Sequence, residues 1–363
     1  MAAPPKWNWQ QPGWPEWRFD SSPLIVLERE FLLNAGKLLG AWQHLAADDQ
    51  DRLKIDLLSD EAMTTSAIEG EYLDRASVQS SVRRQFGLTA DRRAGPAESG
   101  IAELMVDCFT GFAEPLSHQL FFRWHDLVCR GRNDLKAIGR YRDHADPMQV
   151  VSGPIQKPKV HFEAPPSECM AQEMERLIEW FNAGEVPALT RAGLCHLWFV
   201  SIHPFEDGNG RIGMALAEKS LAQSLGQPSL LALSRQIEQE RRAYYEQLEQ
   251  NNRQLDIAHW LVWFGEMALR AQAYSISMIE QLISKTRLTD RLRGKINERQ
   301  MKALLRMFDA GPDGFKGGLS ARNYMTITDA AAATATRDLR DLVEMDALRR
   351  TGQLKGTRYW LNI

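Results

Sequence analysis

Cysteine is scarce in this 363-residue chain. Cys108, Cys129, Cys169 and Cys195 are scattered without C-x-x-C spacing. A disulfide framework and a cysteine zinc site are therefore not expected, and free thiols in a reducing, cytoplasmic setting are. No apolar run reaches 18 residues, so no membrane-spanning helix is expected. The opening Met1–Trp17 is too polar and proline-rich for a signal peptide. The chain has no G-x-x-x-x-G-K-[ST] string, which argues against a P-loop ATPase, and no H-E-x-x-H. It also lacks internal repeats and low-complexity tracts. Net charge is only −3, so the whole chain is not a polycation. From Thr286 onward, however, 15 Lys/Arg face 9 Asp/Glu, so a basic C-terminal segment follows an acidic body.

What is present reads as mostly helix. Charged residues make up 25% and apolar ones 44%, an ordinary globular balance, and the length suffices for two or three domains. Trp7, Trp9, Trp14 and Trp17 lie among prolines without periodicity. They read as an extended arm whose indoles fill grooves. Apolar positions with a 3.6-residue period mark helices over 24–39 and 49–68, within 98–113, and after a Ser117 cap. Further helices are expected over 168–182, 190–202, 236–251 and 256–283. Residues 140–166 are rich in Pro, Gly and β-branched side chains, and read as a β-hairpin with loops. Near the C-terminus, helices over about 298–308 and 328–333 precede a third over 335–346. A turn with Gly352 and Gly356 then leads to Arg358–Leu361.

The densest chemical signal is His203-Pro204-Phe205-Glu206-Asp207-Gly208-Asn209-Gly210-Arg211-Ile212-Gly213-Met214. His203 can accept a proton near neutral pH. Asp207 is a hard oxygen ligand suited to a Mg²⁺ carried in on phosphates. The glycines let backbone N–H groups approach an anion, and a helix starting near Asn209 adds its own N–H groups. Arg211 can fork two phosphate oxygens. Gly208–Gly213 also matches G-x-G-x-x-G, but the preceding 190–202 segment has helical rather than strand spacing, which speaks against a dinucleotide fold.

The full string resembles the Fic family signature, H-P-F-x-[D/E]-G-N-G-R-x-x-R, at every fixed position but the last. The resemblance implies a mainly α protein, a Fic helical core with a β-hairpin flap; the order of the last elements resembles a C-terminal winged-helix domain with 335–346 as its recognition-type helix, the plain alternative being a dimerisation or docking module. The corresponding segments are 1–95 (arm and helices with an inhibitory motif), 96–285 (catalytic core) and 290–363 (winged helix). It implies an adenylyltransferase that moves AMP from ATP, with Mg²⁺, to a Ser, Thr or Tyr hydroxyl of a target protein. His203 would be the base and Asp207 the metal ligand. Gly208, Asn209 and Gly210 would cradle phosphates through N–H groups and the Asn amide, and Arg211 would neutralise their charge. Pro204 and Phe205 would pack the loop.

Thr65-Ser66-Ala67-Ile68-Glu69-Gly70 is similar to the family's inhibitory [S/T]-x-x-x-E-[G/N], and implies that Glu69 reaches into the nucleotide site. The plain alternative is a helix end with Gly70 just past it. The flap, 146–163, would pair with the target as an added strand, with Val160, His161 and Phe162 near nucleotide and target. Tyr244, Tyr245 and Asn252 resemble positions lining adenine and ribose, although a Tyr pair on a helix is more often core. His196, seven residues before His203, reads as a core histidine. Gly210, where phosphorylating relatives carry lysine, favours nucleotidyl transfer. Met214 departs from the pattern, because the usual second arginine pairs with the inhibitory glutamate or the γ-phosphate. AMP removal by the same pocket, and DNA binding through the winged helix with a degenerate core, remain open. A homodimer remains open too.

Overall fold

The computed structural model describes residues 6–363 apart from positions 155, 185 and 313. Met1–Pro5 of the expected arm and Ile155 of the expected flap therefore lie outside the described residues. The chain divides into two compact units, residues 1–37 with 51–273, and residues 38–50 with 274–363. The arm and residues 65–70 thus share a unit with the signature.

The helices in chain order are α1 (Ser22–Gln43), α2 (Ala47–Ile68), α3 (Arg75–Gln85), α4 (Pro96–Thr110) and α5 (His118–Val128). A hairpin of β1 (Gln149–Ser152) and β2 (Lys159–Glu163) follows. Then come α6 (Met170–Ala183), α7 (Ala188–Ile202), α8 (Asn209–Leu225), α9 (Leu233–Gln239), α10 (Arg241–Asn251) and α11 (Ala258–Leu292). The last elements are α12 (Glu298–Phe308), α13 (Ala321–Thr328), α14 (Ala332–Glu344), β3 (Leu348–Thr351) and β4 (Arg358–Leu361). The protein is mainly α, as expected, with two antiparallel hairpins among the described residues.

Local signals explain the boundaries. Ser117 Oγ accepts from the Leu120 N–H and starts α5. Asn297 and Gln300 form a reciprocal capping box that starts α12. The helix expected over 236–251 is instead two, because Glu240 leaves helical geometry between α9 and α10. The helix expected over 328–333 is corrected to α13. Ser320 caps its start with Asn323, and Asp329 ends it in the left-handed region (φ 56°). Residues 332 and 333 open α14, which ends at Glu344 rather than at 346.

The first unit is built around α7 and α8. Every residue of α7 except Val200 is buried, the pattern of a helix enclosed on all sides. Most of α8 is buried as well, and Phe199, Ile202, Ile212 and Leu216 lie in one core. Lys219, also buried, donates from Nζ to the Gly111 and Phe112 carbonyls at 2.6 and 3.0 Å, satisfying groups at the end of α4. The signature loop joins these two enclosed helices, so it stands on a rigid support.

The arm is tied down as expected of its indoles. Trp7 is buried edge-on to Phe162 of β2 at 5.5 Å. Trp9 Nε1 donates to the Glu163 carbonyl at 2.7 Å, and Trp14 Nε1 to Glu173 at 2.8 Å. The buried Asn8 donates to Ser201 Oγ at 2.9 Å and to the Asn251 carbonyl. In the second unit, α12, α13, α14 and the β3–β4 hairpin close over Leu304, Tyr324, Leu339 and Leu342. Asp338 is buried there and accepts from Tyr324, Arg299 and Asn297.

Candidate functional site

His203 ends α7 with φ 52° and ψ 59°, a left-handed conformation that strains a residue with a Cβ by about 1–2 kcal/mol. Two bonds hold it there. Its N–H donates to the Phe199 carbonyl at 3.0 Å, and its carbonyl accepts from Arg142 Nε at 2.9 Å. Arg142 is buried and also donates to Ser167 Oγ at 2.8 Å and the Pro165 carbonyl at 2.5 Å. Burial lowers its own pKa to about 10. Sequence reasoning missed this residue, since no motif marks an arginine 61 positions away as the support of the loop.

His203 Nδ1 lies 3.3 Å from the Val200 carbonyl. A proton on Nδ1 donates there and leaves Nε2 as the acceptor, an assignment that follows from the hydrogen-bond network. Burial, assisted by the Arg142 charge, pushes the imidazole pKa down to about 4. The ring is thus neutral at pH 7, the state a proton acceptor needs.

The loop is braced internally. Asn209 Oδ1 accepts from the Phe205 N–H at 3.0 Å, and its Nδ2 donates to the Phe205 carbonyl at 2.8 Å. The expected phosphate contact of the Asn209 amide is corrected accordingly, because both ends of that amide are committed to closing the loop. Phe205 is buried and stacks on His125 at 4.1 Å. Pro204 is buried as well.

Asp207 accepts from the Gly208 N–H at 2.6 Å and from Arg132 at 2.5 Å, with Arg211 at 3.6 Å. Burial alone would raise its carboxyl, but Arg211, the Gly208 N–H and Arg132 together hold it below the ordinary value. Arg132 was not singled out from sequence, and it is further paired with Asp134 at 2.6 Å. Among the described residues no three His, Cys, Asp or Glu side chains form a metal cluster. One hard carboxylate beside a phosphate site still fits Mg²⁺, which is held by one or two carboxylates plus substrate phosphates. Asp207 would be that carboxylate, and Arg132 would have to release it.

Gly70 has φ 85° and ends α2 in a Schellman turn: its N–H donates to Ala67 O at 3.0 Å and the Glu71 N–H to Ser66 O at 2.9 Å. The turn brings two carboxylates to the signature. Glu69 seats directly on Gly210, where any Cβ would overlap its carboxylate oxygen. Among the described residues the Glu69 carboxylate has no ion pair. Confinement in the cleft raises its pKa, while Arg211 opposes the shift, although the residue keeps accessible surface. Glu71 instead accepts from Arg211 at 2.5 Å. Arg211 is nearly enclosed, and its Nε has no hydrogen-bond partner among the described residues. Met214 is 2% exposed and packs in the core. Thus Arg211 carries the ion pair with the turn that follows α2, through a glutamate that sequence reasoning did not single out.

The remaining expected residues divide. Tyr245 donates to the Ile68 carbonyl at 2.9 Å, beside Glu69 at the end of α2. Tyr244 is buried, 3.0 Å from His196 Nε2, and stacks on Trp263. It therefore belongs to the core, which corrects the expectation that it lines the base. His196 lies stacked on Trp260 in that same core. The Asn252 carbonyl accepts from the Asn8 N–H at 2.7 Å. On the flap, Val160 packs with Trp7, Phe162 is buried, and His161 lies between Ser152 Oγ at 2.6 Å and Glu249 at 3.1 Å. All four residues of β1 are exposed.

Comparison with known proteins places this geometry. Residues 115–221 match the Fic/DOC family, and residues 7–88 match a domain of unknown function, DUF4172. The fold is similar to a Fic family protein from Desulfovibrio desulfuricans G20, at 20% identity over 95% of this chain and 97% of that one, with a TM-score of 0.53. It is also similar to a Fic domain containing signaling protein from Bacteroides thetaiotaomicron VPI-5482, at 19% identity over 68% and 97%, TM-score 0.51. A third likeness is to residues 134–508 of Fic-1 from C. elegans, at 20% identity over 73% and 76%, TM-score 0.51. Fic domain proteins are generally enzymes that transfer a nucleoside monophosphate to a target, typically from ATP with Mg²⁺. The segment that holds the flap hairpin, His203 and Arg211 is thus the part of the chain that matches the Fic/DOC family.

Proposed function

We propose that the protein transfers AMP from ATP to a hydroxyl of a target protein, and that its own N-terminal segment restrains it. The observation that carries this reading is a neutral His203 on a braced loop beside Asp207 and Arg211. His203 Nε2 takes the proton of a Ser, Thr or Tyr hydroxyl. The oxygen attacks the α-phosphorus, the bond to the β-phosphate oxygen breaks, and pyrophosphate leaves. Such transfers depend on positioning and charge stabilisation rather than covalent machinery. Arg211, with an unpartnered buried Nε, and the N–H groups at the start of α8 supply that stabilisation. Asp207 would hold Mg²⁺, which neutralises phosphate charge when bound. The exposed β1 edge would take the target segment as an added strand. Tyr245 and the flap residues Val160, His161 and Phe162 would border nucleotide and target.

The restraint rests on two carboxylates. Glu69 occupies space against Gly210 and repels phosphate at short range. Glu71 holds the arginine that ATP needs. Residues 7–88 thus act as the inhibitory segment in this reading.

The test is label transfer from α-labelled ATP with Mg²⁺ and cell extract as a source of targets. Parent, Glu69→Gly and Glu69→Gly with His203→Ala are compared. Label that rises with Glu69→Gly and disappears without His203 supports the proposal; no label in any variant overturns it. A second reading has one observation in its favour: an unpaired Glu69 with a raised pKa could position water to remove AMP from a modified protein. Release of AMP from a pre-modified target by the parent, lost with Glu69→Gly, would favour that direction.

A further inference from the structure

The second unit contains a cavity of about 580 Å³ that the transfer chemistry does not use. Its walls come from the start of α13 (Ser320, Arg322), one face of α14 (Thr336, Arg340) and the β3–β4 hairpin (Arg350, Arg358). Four arginines and several hydroxyls converge there, with no acidic side chain in the lining. Among the described residues Arg322 and Arg350 have no carboxylate partner. Arg340 shares its charge with Glu344 at 3.4 Å and Asp341 at 3.8 Å. The segment from Thr286 onward is basic overall, 15 Lys/Arg against 9 Asp/Glu.

The backbone around the cavity narrows the ligand. Only residues 329–331 separate α13 from α14, the short connection of a helix-turn-helix, whose second helix enters the DNA major groove. The buried face of α14 holds Ala335, Asp338, Leu339 and Leu342. Its exposed face therefore carries Thr336, Arg337 and Arg340. A helix of this size fits a groove about 12 Å wide. The β3–β4 hairpin projects beside it, with Leu354 at its tip 92% exposed. Arg and Ser/Thr side chains are the usual partners of backbone phosphates.

We infer that this cavity binds the phosphodiester backbone of double-stranded DNA, with α14 laid along the major groove. The proposal is independent of the transferase reading, because no residue of the signature takes part.

The experiment is fluorescence anisotropy of the full chain with a 20-base-pair duplex of arbitrary sequence, titrated at several salt concentrations. The parent should bind, and log affinity should fall linearly with log salt with a slope of about −2 to −4, as two to four phosphates are neutralised. Arg322→Ala with Arg350→Ala should weaken binding about tenfold or more and reduce the slope by about two. Arg322→Lys with Arg350→Lys should keep most of the affinity, because phosphate contacts need charge more than a fork. Both residues are exposed, and a melting curve checks that each variant folds. His203→Ala should bind DNA like the parent. Absence of duplex binding at about 50 mM salt would overturn the inference, as would unchanged binding by the double alanine variant. So would displacement of the duplex by ATP, or equal competition by poly-glutamate at matched charge.

Discussion

The two arginine-rich regions of this protein differ in how fully their cations are paired. At the signature, cations are occupied by the protein's own acids: Arg211 by Glu71 and Asp207, and Arg132 by Asp134 and Asp207. In the second unit's cavity, Arg322 and Arg350 have no carboxylate partner among the described residues. A cation already paired must exchange one partner for another when an anion arrives, so binding there is conditional. A cation facing water gives up only counterions and solvent, so binding there depends on salt. The first arrangement suits restrained chemistry, and the second suits a reversible electrostatic contact.

The largest effect that would sharpen this contrast is at the base. His203→Ala in the Glu69→Gly background should lower label transfer by about 10²–10⁴-fold, the range of a lost general base. Loss of less than tenfold would show that the occupied cleft is not the reacting one. Next, Glu71→Gln should raise transfer by about tenfold, because a charge-assisted bond of roughly 1.5–3 kcal/mol no longer competes for Arg211. A fall in activity would break the comparison by showing that Glu71 supports the site rather than restraining it.

Arg142→Met tests the scaffold beneath the occupied site. It leaves the His203 and Pro165 carbonyls without their donor, at a cost of about 1–3 kcal/mol per unsatisfied group. The melting temperature should drop by several degrees. The rate should fall while the KM for ATP stays near the parent value, a split that separates positioning of His203 from loss of nucleotide binding.

Acid provides a smaller test. Burial lowers His125, His196 and His203 to about 4. Below the ordinary histidine value of about 6.5, the unfolded chain takes up protons that the folded chain refuses. These groups therefore cost stability as pH falls from about 6.5 towards 4. Glu218 has the opposite sign. Burial raises it to about 7, next to the buried Glu61. The folded chain then holds a proton that the unfolded chain releases, so stability falls as pH rises from about 4.5 to 7. Glu218→Gln should raise the melting temperature at pH 8, by on the order of 5 °C, and change it little at pH 5. Equal effects at both pH values would show that the Glu61–Glu218 pair is not titrating.

Much of the site could be read along the chain because its parts are contiguous. His203, Asp207, Gly208 and Arg211 lie within nine residues, and the helix starting at Asn209 follows from their spacing. Glu69 and Gly70 were legible from a short helix-end pattern. Glu71 was not, because its role depends on a Schellman turn that points it at an arginine 140 positions away. Tyr244 and Tyr245 show the limit of adjacency. Neighbours on a helix face different ways, so one enters the core and the other reaches Ile68 O. The Asn209 amide was misassigned for a similar reason: a side chain able to meet a phosphate can equally close its own loop.

The sequence by itself determined the mainly helical class, the positions of most helices and the chemical identity of the signature, since periodicity, caps and contiguous motifs act over a few residues. Only the tertiary structure decided which charges meet. Packing of α7 and α8 buries Met214, makes room for Glu69 at Gly210, and sets Arg142 beneath His203. Packing of α13, α14 and the β3–β4 hairpin likewise gathers Arg322, Arg340, Arg350 and Arg358 into one cavity. Such pairings depend on distances across the fold, which no local pattern of residues encodes.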